Sequence, residues 1–365
     1  FGKAADSMAK KVSLLTKIDG GIIVIPSGAK SVLKNKKFKT LYAGHPIPNK
    51  QSVQAANQII EFLKKREPGD FIIFLISGGG SALISSPDGI SLNDKKIVTS
   101  MLLKSGANIQ EINCVRKHLS KIKGGKLVEN LSCGAVSLVM SDVIGDDLSS
   151  IASGPTYLDD TTFKDAYKIL TKYNLKKNTP QNVLKLLQLG IHRKILETPK
   201  FLKIKNYVIA TNDDCLNAMK ERAQKLGYTV KLKRSISGNV AYVSKKLLKS
   251  FPTKPCSCLI FGGETTVKVV GNGKGGRNQE LVLYILNEIQ KSRKDVMIVS
   301  CGTDGKDGNT DASGAIIERS NNQFYDIQKF LQNNNSYNFF KKHKGLIFTG
   351  STHTNLMDIG MLLTR

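Results

Sequence analysis

The chain has 365 residues, too many for one ordinary core, which favours two domains in a protein of enzyme size. Hydrophobic residues at 40% and charged residues at 23% exclude a disordered, collagenous or coiled-coil chain, and no apolar run nears the roughly 20 residues of a bilayer span. Lys and Arg number 55 against 29 Asp and Glu, a net charge of +26 that attracts anions, but with no Trp and 7% aromatic residues the stacking platforms of a specific nucleic-acid binder are missing.

Short apolar runs alternate with helical periods along the chain. Helices are expected over 52–66, 92–105, 162–173, 215–226, 240–249 and 278–291, with Asn49 and Asn212 as caps. Strands are expected over 71–76, 135–140, 207–210, 258–261, 296–300 and 346–348. The alternation predicts an α/β architecture with a largely parallel sheet. The Lys-rich stretch 172–206, with Pro180 and Pro199, is expected to join two domains, 1–205 and 206–365, and Asn333–Asn335 to form an exposed turn. Phe1 starts where a strand would be ending, so residues upstream are expected. Six cysteines without C-x-x-C or zinc spacing point to a reduced, cytoplasmic interior, and five scattered histidines offer no face for a transition metal.

The chemistry collects where strands end, because the carboxyl edge of an open α/β sheet forms the ligand crevice. Ser77, Gly78, Gly79, Gly80 and Ser81 follow the strand 71–76; three successive glycines free backbone amides to cradle a carboxylate or phosphate. Gly271, Gly273 and Gly276 spell G-x-G-x-x-G, a weak dinucleotide fingerprint. The Arg277 that follows has a planar fork suited to phosphate oxygens, beside Gly275, Gly276 and Asn278 at a helix start. Asp142 stands just past a strand, placed to bind Mg²⁺ or accept a hydroxyl proton, with Asp146 and Asp147 capping the next turn. The acids at 304, 307 and 311 lack the ladder and closing Glu of an EF-hand. Lys3 sits among small residues at a strand-to-helix turn.

Together these segments resemble the glycerate 2-kinase family, whose C-terminal half is the MOFRL domain. The resemblance runs nearly end to end. It rests on Gly2-Lys3-Ala4-Ala5, Gly44-His45-Pro46-Ile47-Pro48, Ser77-Gly78-Gly79-Gly80-Ser81-Ala82, Asn113-Cys114-Val115-Arg116-Lys117-His118-Leu119-Ser120 with Lys123-Gly124-Gly125, and Ser141-Asp142-Val143. It continues through Ala152-Ser153-Gly154-Pro155-Thr156, Gly262-Gly263-Glu264-Thr265-Thr266, Gly275-Gly276-Arg277-Asn278-Gln279-Glu280 and Gly302-Thr303-Asp304-Gly305. The last motif departs from the family's pattern, reading Thr349-Gly350-Ser351-Thr352-His353-Thr354-Asn355.

The resemblance implies a Rossmann-like N-terminal domain and a smaller α/β MOFRL-type domain with the active site in the cleft between them. It implies phosphorylation of the 2-hydroxyl of D-glycerate by ATP with Mg²⁺, with Lys3, Asp142 and Arg277 catalytic. Ser77–Ser81, Gly275, Gly276 and Asn278 would bind substrate or phosphate, and Asp142 and Asp304 the metal. A homo-oligomer is left open, and no membrane or specific nucleic acid is expected as a partner. The alternative chemistry is NAD(P)H-dependent hydroxypyruvate reduction, a label some relatives receive.

Overall fold

The computed structural model describes residues 1–252, 254–290, 295–319 and 324–364. The chain divides into two compact units, Phe1–Ile209 and Ala210–Arg365. Among the described residues no helix is long and apolar enough to cross a membrane.

The first unit contains β1 (Gly21–Pro26), β2 (Phe38–Ala43), β3 (Phe71–Ile76) and β4 (Gly134–Met140), and β5 (Lys205–Ala210) closes it, its last residue being the first of the second unit. β1 pairs parallel with β2 and β3 parallel with β4. The first three residues run between the two pairs. The Phe1 amine donates to the Leu75 carbonyl at 2.8 Å, the Gly2 amide to Val24 at 3.1 Å and the Lys3 amide to Gly78 at 2.9 Å. Val24, Phe74, Ile76, Leu83 and Val139 bury the apolar face of these strands.

A second core in the same unit is all helical, drawing Val98, Leu102, Val115, Phe163, Leu170 and Leu187 from four helices. One of them, Gln181–Ile191, corrects the expectation of a plain connection over 172–206. Its Leu186, Leu187 and Val183 are buried, and Gly190 lets the Phe163 ring lie where a Cβ would stand. The Lys-rich surroundings concealed it, although its one lysine, Lys185, is exposed outside the apolar stripe. The other expected helices form close to their places. Asn49 caps Lys50–Lys64, but Asn212 is the first residue of its helix and Thr211 is the cap.

The second unit adds β6 (Thr229–Asn239), β7 (Ser257–Thr266), β8 (Val296–Gly302), β9 (Gly314–Arg319), β10 (Leu346–Ile347) and β11 (Asp358–Thr364), in the order β10-β9-β8-β11-β7-β6. Among the described residues of this unit only β6 and β7 pair in parallel; β11 runs antiparallel to both β7 and β8, and β8 to β9. The largely parallel sheet expected from alternation therefore does not extend to this unit. Reversal of β11 has a consequence for chemistry. Its first residue, Asp358, lies opposite Gly263 and Gly302, at the carboxyl ends of β7 and β8. The helix Arg277–Ile289 covers this sheet with Leu283, Ile285 and Leu286; the expected end at Lys291 lies outside the described residues.

Candidate active site

In the first unit the glycine turn is shaped by what leans on it. The Ala4 amide donates to Ser77 Oγ at 3.0 Å, fixing the chain at Lys3 against the end of β3. Gly79 has φ +83°, a left-handed conformation that favours glycine. A Cβ there would stand 2.9 Å from His45 Cδ2 and 3.4 Å from Lys3 Cγ, so Lys3 and His45 both pack on this turn. Asp142 leaves the end of β4, the strand beside β3. Lys3, Ser77–Ser81 and Asp142 thus share one sheet edge. Asp147 caps the following turn, accepting from the Ser149 amide at 2.9 Å and the Ser150 hydroxyl at 2.6 Å.

In the second unit Arg277 opens its helix, but its fork is already engaged. Nε and Nη2 donate to the two Asp358 oxygens at 2.6 and 3.0 Å, and Nη1 donates to Glu264. Burial opposes the charge of Arg277, yet the hydrogen bond and charge of Asp358, with Glu264 and Asp307, raise its pKa above the ordinary arginine value. Asp358 is a site residue that sequence reading missed. The signal was an apolar run, Leu356 to Leu363, interrupted by one acid. Asn212 holds that acid's backbone in place, its Nδ2 donating to the Leu356 and Asp358 carbonyls at 2.7 and 3.0 Å.

The helix amides expected to be free for a phosphate are not. Asp307 Oδ1 accepts from the Asn278 amide at 3.0 Å and Oδ2 from the Gln279 amide at 2.9 Å, so a carboxylate of the protein fills the anion position that the helix dipole favours. Asn278 is 1% exposed, and its side chain serves Asp307 and Ser300. The side chain expected at a phosphate is thus hydrogen-bonded within the protein. Gly276 is required because a Cβ would overlap Asp307.

Burial pushes the Asp307 carboxyl up to about 6, against the pull of the Gln279 and Asn278 amides. With a folded value above the unfolded one of about 3.9, this group favours the fold when protonated and loses that contribution as pH rises from about 4 to 6. The urea-midpoint advantage of wild type over Asp307→Asn is therefore expected to shrink between pH 4.5 and 7. A constant difference would contradict the burial argument.

The G-x-G-x-x-G segment is also occupied from within. Asn334 Oδ1 accepts from the Val270 and Gly271 amides at 2.7 and 3.0 Å, Asn333 Oδ1 from Asn272 at 3.0 Å, and Asn335 Oδ1 from Lys274 at 3.1 Å. Asn334 is only 7% exposed. The asparagine run is a turn, exposed at Asn333 and buried at Asn334, that also acts as a clamp, and the amides of Val270 to Lys274 are spent on it.

Asp304 follows β8; a Cβ on Gly302 would lie 3.2 Å from its Oδ1 and 3.5 Å from that of Asp358. Among the described residues no three His, Cys, Asp or Glu side chains gather as a metal centre. Asp142 and Asp304 stand on different units.

Two α/β units with glycine-rich strand ends, one carrying Lys and Asp and the other a carboxylate-bound Arg, define a phosphate-handling class without a Walker loop. Residues 1–188 match the family described as a domain of unknown function, DUF4147, and residues 257–358 match the MOFRL family. A glycerate 2-kinase of Pyrococcus horikoshii is 40% identical, with 98% of this chain and 85% of that one covered, and a D-glycerate 2-kinase of Thermotoga maritima 39%, covering 98% and 88%. The crystal structure of a Thermotoga maritima glycerate kinase superposes with a TM-score of 0.85 at 36% identity, covering all of this chain and 90% of that one. The chain belongs to the glycerate 2-kinase family.

Proposed function

We propose that this protein transfers the γ-phosphoryl group of ATP to the 2-hydroxyl of D-glycerate, giving 2-phosphoglycerate and ADP in the cytoplasm. The six free cysteines suit a reducing compartment. The observation that carries the reading is the packing of Lys3 on the Gly79 turn at the edge that also bears Asp142. A family that phosphorylates an alcohol needs a cation, a glycine cradle and a proton acceptor in one place.

Phosphoryl transfer asks a protein for positioning and charge neutralisation rather than covalent chemistry. The glycerate O2 attacks the γ-phosphorus as the bond to the β,γ-bridging oxygen breaks, ADP departs, and the hydroxyl proton passes to the Asp142 carboxylate. Lys3 and the Ser77–Ser81 amides neutralise phosphoryl oxygens, and the remaining N–H groups of Arg277 stabilise the charge that spreads over them in the transition state. Mg²⁺ fits the oxygen-only donors available, since it is commonly held by one or two carboxylates plus nucleotide phosphates. Asp142 at the end of β4 is a residue that would hold it, and it would supply further charge neutralisation.

The test is product identification in a coupled assay with saturating MgATP. 2-Phosphoglycerate feeds enolase directly, whereas the 3-isomer would need a mutase first, and absence of ADP formation with D-glycerate would overturn the reading. Hydroxypyruvate is expected to leave the nicotinamide absorbance of NAD(P)H unchanged, because Asn333–Asn335 already occupy the amides of the glycine segment.

A further inference from the structure

One cluster in the first unit is not explained by the roles given so far. Lys123 is fully buried and Lys95 is 4% exposed, with Arg116 half-buried beside them. Lys123 Nζ donates to Ser81 Oγ and to the Ala152 carbonyl, both at 3.1 Å, and Lys95 Nζ donates to Ser85 Oγ at 3.3 Å. Among the described residues no ion pair joins Lys95, Arg116 or Lys123 to a carboxylate. Where this unit buries a lysine for structure it supplies one: Lys117 meets Asp159 at 3.2 Å.

Burying cations without counter-charge is strongly unfavourable. Burial first, then the charges of Arg116 and Lys126, pull Lys95 down to about 7; burial, Lys95 and Arg116 pull Lys123 well below the ordinary lysine value. The backbone beside them is strained as well. Ala152 and Ser153 have φ +52° and +63°, a region that costs non-glycine residues energy and recurs at ligand sites. Ser153 Oγ lies 2.6 Å from Ser81 Oγ and donates to Asn113 Oδ1 at 3.1 Å.

We infer that Lys123, Arg116 and Lys95, with the Ser81 and Ser153 hydroxyls, form the seat for the carboxylate of the 2-hydroxy-acid substrate. The inference rests on the proposed kinase reading for the identity of the acid. The hydroxyl to be phosphorylated is on the carbon next to the carboxylate, so its seat must adjoin the residues that act on that hydroxyl. Ser81 meets this condition, two residues from the Gly79 on which Lys3 packs. A single planar carboxylate matches the buried ammonium and hydroxyls, whereas a triphosphate brings several charges that remain hydrated.

The test compares Lys123→Met and Arg116→Met with wild type in steady-state kinetics and thermal melting. Each is expected to raise the KM for D-glycerate at least about 30-fold, the scale of a lost charge-assisted contact, and to change the KM for MgATP less than about threefold. The melting shift given by D-glycerate should vanish while the unliganded Lys123→Met protein melts no lower, since a buried amine without a counter-charge has been replaced by an apolar side chain. Arg116→Met, being less buried, carries the test if Lys123→Met fails to fold. A raised KM for MgATP alone would make this a nucleotide site, and an unchanged KM for D-glycerate with a lowered melting point would make it structural; either overturns the inference. If wild type does not turn over D-glycerate, yet lactate or inorganic phosphate raises its melting point only when Lys123 is present, the kinase reading falls. Lactate alone acting would then uphold the carboxylate seat, and phosphate alone acting would overturn it.

Discussion

Arg277→Lys is expected to lower kcat by at least about 10²-fold, because arginines at phosphoryl transition states contribute on the order of 10³-fold or more. The structure explains why a lysine would not substitute. A guanidinium has five N–H donors, and three are committed to Asp358 and Glu264, which leaves two in a fixed orientation. The side chain keeps 34% exposure, so its charge is not sealed in the core. An ammonium has one nitrogen and cannot grip both Asp358 oxygens while presenting a donor elsewhere. Interactions that strengthen in the transition state appear in kcat, and uniform binding appears in KM. An unchanged kcat with only a raised KM for ATP would show that Arg277 binds nucleotide without catalysing. Arg277→Ala is a poorer probe, since it also strands the buried Asp358 carboxylate.

The largest stability loss is expected at Asn334. Its amide nitrogen donates to both Glu280 oxygens at 3.0 and 3.2 Å and to the Lys268 carbonyl at 3.2 Å, while its oxygen takes the Val270 and Gly271 amides. Glu280 is buried, and burial raises its pKa despite the Asn334 bond. Asn334→Ala would leave several buried polar groups unpaired at once, for a cost of about 3 kcal/mol or more. It would also place a Cβ residue without hydrogen-bonding capacity at φ +49°, where Asn is better tolerated than Ala. Urea denaturation reads the loss, and Asn334→Asp should not rescue it, because it sets a second carboxylate against Glu280. A midpoint within about 0.5 kcal/mol of wild type, the range of ordinary surface changes, would refute the clamp.

By itself the sequence determined the local elements and the polar strand ends. The spacing of apolar residues places helices and strands, caps such as Asn49 mark helix starts, and Ser77–Ser81 and Asp142 follow their strands directly in the chain, so short-range order carries them. Only the tertiary structure decided which charges meet. Arg277 and Asp358 are 81 residues apart, and their pairing depends on β11 entering between β7 and β8 in the reverse direction, which residue periodicity does not encode. The same holds for the glycine segment and its asparagine clamp some 60 residues later, where a ligand-like amide array turned out to be filled by side chains. Lys123 looked like one of 55 basic residues; burial, which no single-residue pattern reports, is what separates it from the solvated ones.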